Sequence, residues 1–204
     1  MKKILMIALI MMATISASAQ NPVGRWSIQP KGGIGFATLT DFPDSRMTIA
    51  AQIGGEAEYQ INDWLSVAGA MMFSLQGTGI KDNDFYEDQD YNLGYIQFPF
   101  VANFYVYKGL AFKAGLQPGF KIGDNYHRKE KGTGRKIDDD HYNAESFDLS
   151  LPLGVSYQFG HFVIDARYIL GLTKVNGNEY DYAGTKRSCR NSVFIATFGY
   201  KFNL

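Results

Sequence analysis

The chain has 204 residues, with 20 Lys and Arg against 20 Asp and Glu, so it lacks the basic excess of a nucleic-acid binder. One cysteine, Cys189, excludes an internal disulfide framework. Aromatic residues (15 Phe, 13 Tyr, 2 Trp) and 22 Gly accompany a mean hydropathy of −0.18, the balance expected of strands whose apolar and polar faces cancel.

The first element is an export signal. Lys2 and Lys3 precede an apolar run from Ile4 to Met12, and Ala17-Ser18-Ala19 forms an A-x-A cleavage pattern before Gln20. A helix needs roughly 20 apolar residues to span a bilayer, so this run is too short to be an anchor. Residues 1–19 are therefore expected to be a cleavable signal peptide, with residues 20–204 forming one mature domain. No Cys near the cut indicates a lipoprotein anchor.

Eight strands are predicted after the signal, near residues 26–39, 46–60, 64–76, 91–107, 110–122, 143–159, 162–173 and 191–203. The first three are weakly patterned, because Gly and Ala dilute both faces. In the fourth, Ile96, Phe98, Phe100, Ala102, Phe104 and Val106 share one face, opposite Gln97, Pro99, Val101 and Asn103. The sixth sets Phe147, Leu149, Leu151, Leu153 and Val155 against Asp148, Ser150, Ser156 and Gln158. The seventh opposes Ile164, Ala166, Tyr168 and Leu170 to Asp165 and Arg167, and the eighth opposes Phe194, Phe198 and Phe202 to Thr197, Gly199 and Lys201. Alternation of this length has the period of a strand, not a helix. Pro30, Pro99, Pro118 and Pro152 fall inside these strands, where each removes a ladder donor; either bulges beside nearby glycines absorb them or the strands break.

The links alternate in length. Tight turns are expected at Asn62-Asp63, Lys108-Gly109 and Gly160-His161, and long loops near 40–45, 77–90, 123–142 and 174–190. Short turns on one rim and long loops on the other describe an outer-membrane β-barrel with both termini on the periplasmic side. Trp26, Tyr59, Trp64, Tyr107, Phe159, Phe162 and Phe202 fall near the short-turn rim as candidates for an aromatic girdle. Parity assigns Trp64 and Tyr107 to turns.

Two barrels share this strand pattern. A soluble, periplasmic ligand-binding barrel would keep the apolar face inside. A transmembrane barrel would turn the Phe, Leu and Ile face to lipid and enclose the rest. The polar face carries Gly, Ser, Ala and Gln with nearly balanced charges: Glu56, Glu58, Asp148 and Asp165 against Lys31, Lys113, Lys121, Arg167 and Lys201. Small residues and paired charges suit the narrow interior of an eight-stranded barrel, where side chains fill the space and enclosed charges require partners. The fold class read from the sequence is thus all-β, an eight-stranded antiparallel up-and-down transmembrane barrel. Glu56, Glu58, Lys113, Asp148, Asp165, Arg167 and Lys201 are expected to form a structural ion network in its lumen.

Leu151-Pro152-Leu153, Tyr157-Gln158-Phe159, the run Ile164-Asp165-Ala166-Arg167-Tyr168-Ile169-Leu170-Gly171-Leu172-Thr173, and the closing Phe198-Gly199-Tyr200-Lys201-Phe202 resemble the PorT-type outer-membrane β-barrel family. Phe98-Pro99-Phe100 echoes the same hairpin design. The resemblance covers the mature chain and implies an OmpA-like eight-stranded barrel in the outer membrane. Some members of that family are linked to protein secretion. Many outer-membrane barrels end on an aromatic residue, whereas Asn203-Leu204 follow Phe202 here.

Candidate chemistry is sparse. Asp138-Asp139-Asp140-His141 would place an acid and a base at the barrel mouth, as a membrane-embedded hydrolase or acyltransferase requires, or is a solvated acidic loop. Arg128, Lys129, Lys131, Arg135 and Lys136 form a cationic stretch that either meets anionic lipopolysaccharide or is an ordinary charged surface. Asp82, Asp84, Glu87, Asp88 and Asp90 offer oxygens to calcium, without the spacing or Gly of an EF-hand. His127 and His161 have no ligand spacing around them. No catalytic, metal or cofactor site is predicted. The expected protein is a non-enzymatic, integral outer-membrane protein with an anchoring or envelope-interaction role. Its expected partners are outer-membrane lipid, lipopolysaccharide and envelope or secretion proteins, with no nucleic acid. The hydrolase with His141 and the soluble periplasmic barrel are the alternatives.

Overall fold

A computed structural model describes residues 22–40, 45–80, 86–130, 136–139, 145–174 and 189–204; the expected signal and the start at Gln20 lie outside the described residues. The described backbone is all β: β1 (Trp26–Thr40), β2 (Ser45–Arg46), β3 (Thr48–Asn62), β4 (Leu65–Ile80), β5 (Tyr86–Gln97), β6 (Phe100–Tyr107), β7 (Leu110–Glu130), β8 (Lys136–Asp139), β9 (Phe147–Phe159), β10 (Phe162–Gly171), β11 (Arg190–Tyr200) and β12 (Phe202–Asn203). β5 and β6 form one stave, β11 and β12 another, and β2 and β8 extend their neighbours, so the segments make eight antiparallel staves. β1 pairs with β11 from Lys31↔Gly199 to Thr40↔Arg190, which closes the sheet and leaves the barrel no edge.

Each face is explained by its side chains. Ile164, Phe198 and Phe100 are 45%, 53% and 60% exposed, whereas Asp165 and Arg167 are 1% and 2% exposed. Large apolar groups thus cover the exterior and ionic groups fill the lumen. That overturns the soluble alternative, since the Phe, Ile and Leu surface would face water at a cost of roughly 25 cal/mol per Å² of apolar area.

The tight turns lie where the sequence places them. Gly109 (φ 85°) and Gly160 (φ 58°) occupy the left-handed region in two of them, a conformation glycine adopts without a Cβ clash. β1 also approaches β11 closely: a Cβ on Gly35 would lie 1.9 Å from the Phe194 carbonyl oxygen. The short-turn rim carries packed aromatic rings, with Trp26 5.0 Å from Tyr59, Phe159 5.7 Å from Phe162 and Tyr200 4.7 Å from Phe202. Trp64 occupies its turn yet stacks on the outward Phe104 at 6.4 Å, so it joins the girdle.

Two expectations are corrected. Pro30 and Pro152 neither bulge nor break their strands, pairing with Gly55 and Ile169 in continuous ladders, whereas at Pro99 the expected break does occur, between β5 and β6, where Ala70 N–H donates to the proline carbonyl. A missing donor costs one ladder bond but does not reset the pleat; the irregularities occur instead at Gln60/Asn62, Glu87/Asp90, Gly94/Tyr95 and Tyr105/Tyr107. The loops expected at 77–90 and 123–142 are largely strand. β4 runs to Ile80, β5 begins at Tyr86, and β7 runs to Glu130, where β8 pairs with it. Above the lipid no apolar face is required, so these extensions carry no alternation to read.

Candidate functional site

The lumen is layered. At the short-turn end, Glu58 Oε2 accepts from Lys201 Nζ at 2.6 Å, and Glu58 Oε1 accepts from Ser66 Oγ and Tyr105 OH, each at 2.6 Å. Asn103 Nδ2 donates to Ser66 Oγ at 2.9 Å. One layer further in, Glu56 is bonded to Lys31 Nζ, lies 3.2 Å from Lys113 Nζ, and is 3.5 Å from Arg167 Nη2. Asp165 accepts a two-pronged contact from Arg167, with Nε at 2.6 Å and Nη2 at 2.9 Å, plus Lys113 Nζ at 2.9 Å. This planar, two-bond pairing is the geometry for which guanidinium is suited.

Room for these long side chains comes from glycine on neighbouring strands. Gly154 stands opposite both Lys113 and Arg167, and Lys31 faces Gly54 on one side and Gly199 on the other. A Cβ on Gly154 would sit 2.8 Å from Arg167 Cγ, and one on Gly199 would sit 2.8 Å from Lys31 Cβ. Gly154 and Gly199 thus make space for the lumen charges.

Toward the long-loop end the filling changes. Ala37, Ala50, Ile169, Val193 and Ile195 form one buried apolar cluster, and Leu39, Leu93, Tyr95 and Cys189 form another. Beside them, Asp148 accepts from Ser150 Oγ at 2.9 Å, Thr173 Oγ1 at 2.9 Å and Asn191 Nδ2 at 3.2 Å.

Among the described residues, four cations (Lys31, Lys113, Arg167, Lys201) and four carboxylates (Glu56, Glu58, Asp148, Asp165) are buried. Of the expected network, Glu56, Glu58, Lys113, Asp165, Arg167 and Lys201 are in ion pairs, together with Lys31 at its centre; Asp148 stands apart, held by neutral donors. Sequence reasoning did not identify Ser66, Tyr105, Thr173 and Asn191 as partners, because their roles depend on which staves adjoin. Elsewhere, Asp138 and Asp139 lie in β8, with Asp138 in register with His127, while Asp140 and His141 lie outside the described residues. His161 is a turn residue whose ring stacks on Tyr200 at 5.3 Å, with Nδ1 3.1 Å from the Lys201 carbonyl oxygen.

This closed barrel, lipid-facing outside and ionic within, matches a known sequence family: the outer membrane protein beta-barrel domain matches residues 18–177. The chain belongs to that family. As an outer-membrane barrel it is also similar in fold to two solved structures. Ail, the attachment invasion locus protein of Yersinia pestis, aligns with a TM-score of 0.51 and 14% identity over 89% of this chain and 100% of its own. Neisserial surface protein A aligns with a TM-score of 0.52 and 16% identity over 87% of this chain and 97% of its own. At such identities the likeness concerns the fold. No curated protein matches the chain in sequence. The family places the barrel in the bacterial outer membrane, where the exposed apolar exterior meets acyl chains.

Proposed function

We propose that this protein is a PorT-type, non-enzymatic barrel that anchors in the outer membrane and works through its two rims, with a role in envelope interactions linked to protein secretion. The observation that carries the reading is the filled lumen. Ion pairs occupy its short-turn part, and apolar side chains together with buried amides such as Gln52, Gln76 and Gln97 its long-loop part, so the interior is committed to structure and offers no wide aqueous path. The lumen charges serve to fix the register of the staves, a role in which each pair specifies its partner strand. Binding is then left to the rims.

The proposal includes contact with lipopolysaccharide through the cationic stretch 128–136. Ail has been crystallised with a heparin analogue, sucrose octasulfate, and the aligned fold there shares 16% identity with this chain. Here the support is the sequence itself, which sets Arg128, Lys129, Lys131, Arg135 and Lys136 together.

Planar-bilayer recording tests the sealed lumen. Insertion of the refolded protein is expected to give no stable open-channel current; large, persistent unitary currents would reject the reading. Capture from detergent-solubilised envelopes then tests the rims, with co-purifying envelope proteins expected and a bare barrel counting against a secretion role.

A further inference from the structure

The short turns differ in how they use the left-handed region. Asp63-Trp64, between the paired Asn62 and Leu65, has no positive φ. Gly160-His161, between the paired Phe159 and Phe162, gives its one left-handed position to glycine. Lys108-Gly109, between the paired Tyr107 and Leu110, has positive φ at both residues, 22° and 85°. A two-residue hairpin loop of that kind is suited to Asn-Gly or Gly-Gly, because an ordinary side chain at positive φ crowds its own backbone. Among the described residues, Lys108 is the only non-glycine held there.

The strained position thus carries a cation. Lys108 is exposed, and its Nζ lies over the Tyr107 ring, 5.6 Å from the centroid. Among the described residues, no carboxylate lies within ion-pair distance of it. The next turn presents Trp64, whose carbonyl accepts from the Tyr105 amide and whose ring stacks on Phe104. Trp64 and Tyr107 are both largely exposed, and Trp and Tyr in such a girdle mark the headgroup level of a bilayer. We propose that Lys108, flanked by Tyr107 and Trp64, binds the headgroup of an anionic phospholipid of the periplasmic leaflet.

Magnitudes select the lipid as occupant. One exposed ammonium attracts an anion weakly, and salt screens that attraction over a short distance. The anion must therefore already be concentrated at this level, as a leaflet lipid is and a free phosphate is not. The Tyr107 ring restrains the lysine before binding, which lowers the ordering cost of the contact. The inference rests on the outer-membrane location and is independent of any role in secretion.

Titration of the mature barrel, refolded in dodecylphosphocholine micelles, with dihexanoyl phosphatidylglycerol tests this by NMR. Saturable shifts of the Lys108 and Gly109 amides are expected with the lipid, and none with inorganic phosphate at the same concentration. Lys108→Arg should keep the affinity. Lys108→Asn and Lys108→Gln should each weaken it about fivefold, equivalent to the ~1 kcal/mol that one lysine gains near an anionic surface. The two neutral variants differ in the turn, since Asn tolerates positive φ and Gln does not. Lys108→Asn should therefore also raise the urea midpoint of unfolding above that of the wild type, while Lys108→Gln should not. Binding lost as stability is gained would mark a residue placed for its ligand. Unchanged affinity in Lys108→Asn, absence of saturable shifts, or equal shifts with inorganic phosphate overturns the proposal. So does a Lys108→Asn barrel no more stable than the wild type, because lysine would then cost the turn nothing.

Discussion

The short-turn and long-loop parts of the lumen are filled differently, although the same staves line both. Toward the short turns, four cations meet three carboxylates in two layers. Toward the long loops, alanine and β-branched side chains pack against one another beside the neutral-donor clasp on Asp148. Ion pairs are demanding: each needs a particular partner, and an enclosed charge without one is costly. Apolar packing is forgiving of identity and sensitive to volume. The first kind of filling is therefore sensitive to which staves adjoin, and the second to the volume it packs.

The largest expected effect breaks the ionic half. Glu56 alone contacts Lys31, Lys113 and Arg167, so Glu56→Gln leaves three enclosed cations facing the single carboxylate of Asp165. Loss of about 3–5 kcal/mol is expected on removing one partner from a buried network. Urea unfolding of the micelle-refolded barrel, followed by tryptophan fluorescence, measures it. Adding Lys31→Met to Glu56→Gln removes one of the stranded cations and should recover part of the loss. Additive damage in the double variant would mean that the two side chains are not coupled.

The outer half should respond more gently. Ile195→Ala removes a 1%-exposed side chain from the apolar cluster and is expected to cost about 2–4 kcal/mol, with the size set by how far its neighbours collapse into the space. A polar replacement with the same number of side-chain heavy atoms, Ile195→Asn, sharpens the comparison. If the outer half is a dry seal, Asn should destabilise at least as much as Ala; a milder effect from Asn would show that water already reaches that depth.

Much of this was legible from sequence because lipid imposes a simple rule on the exterior. From Ile96 onward, every outward position named from alternation is lipid-facing, and Asp165, Arg167 and Lys201 are enclosed as expected. The first three staves read poorly for a physical reason: glycines such as Gly54, where a Cβ would lie 2.1 Å from the Met71 carbonyl oxygen, let neighbouring staves approach closely, which erases the local pattern. Partnership was not legible. Lys201 reaches Glu58 across 143 residues of sequence, and that pairing depends on strand tilt and closure, which no local spacing encodes. The strand extensions of β4, β5 and β7 were hidden because beyond the bilayer either face of a hairpin can be polar.

The smallest effect probes the seam between β9 and the end of β10. Thr173 Oγ1 accepts from the Leu149 amide at 2.8 Å and donates to Asp148 Oδ1 at 2.9 Å, while the Leu172 amide donates to the Leu149 carbonyl at 2.7 Å. Thr173→Val keeps the backbone contacts and the β-branched shape but removes the hydroxyl. The Leu149 N–H then loses its acceptor and Asp148 loses one of three donors, a change expected to cost about 1–2 kcal/mol. Because the clasp is local, hydrogen exchange should speed up at the Leu149 amide while the amides around Glu56 and Asp165 keep their protection. Uniform acceleration through both halves would instead make the barrel one cooperative unit, and the two fillings would then differ in composition alone.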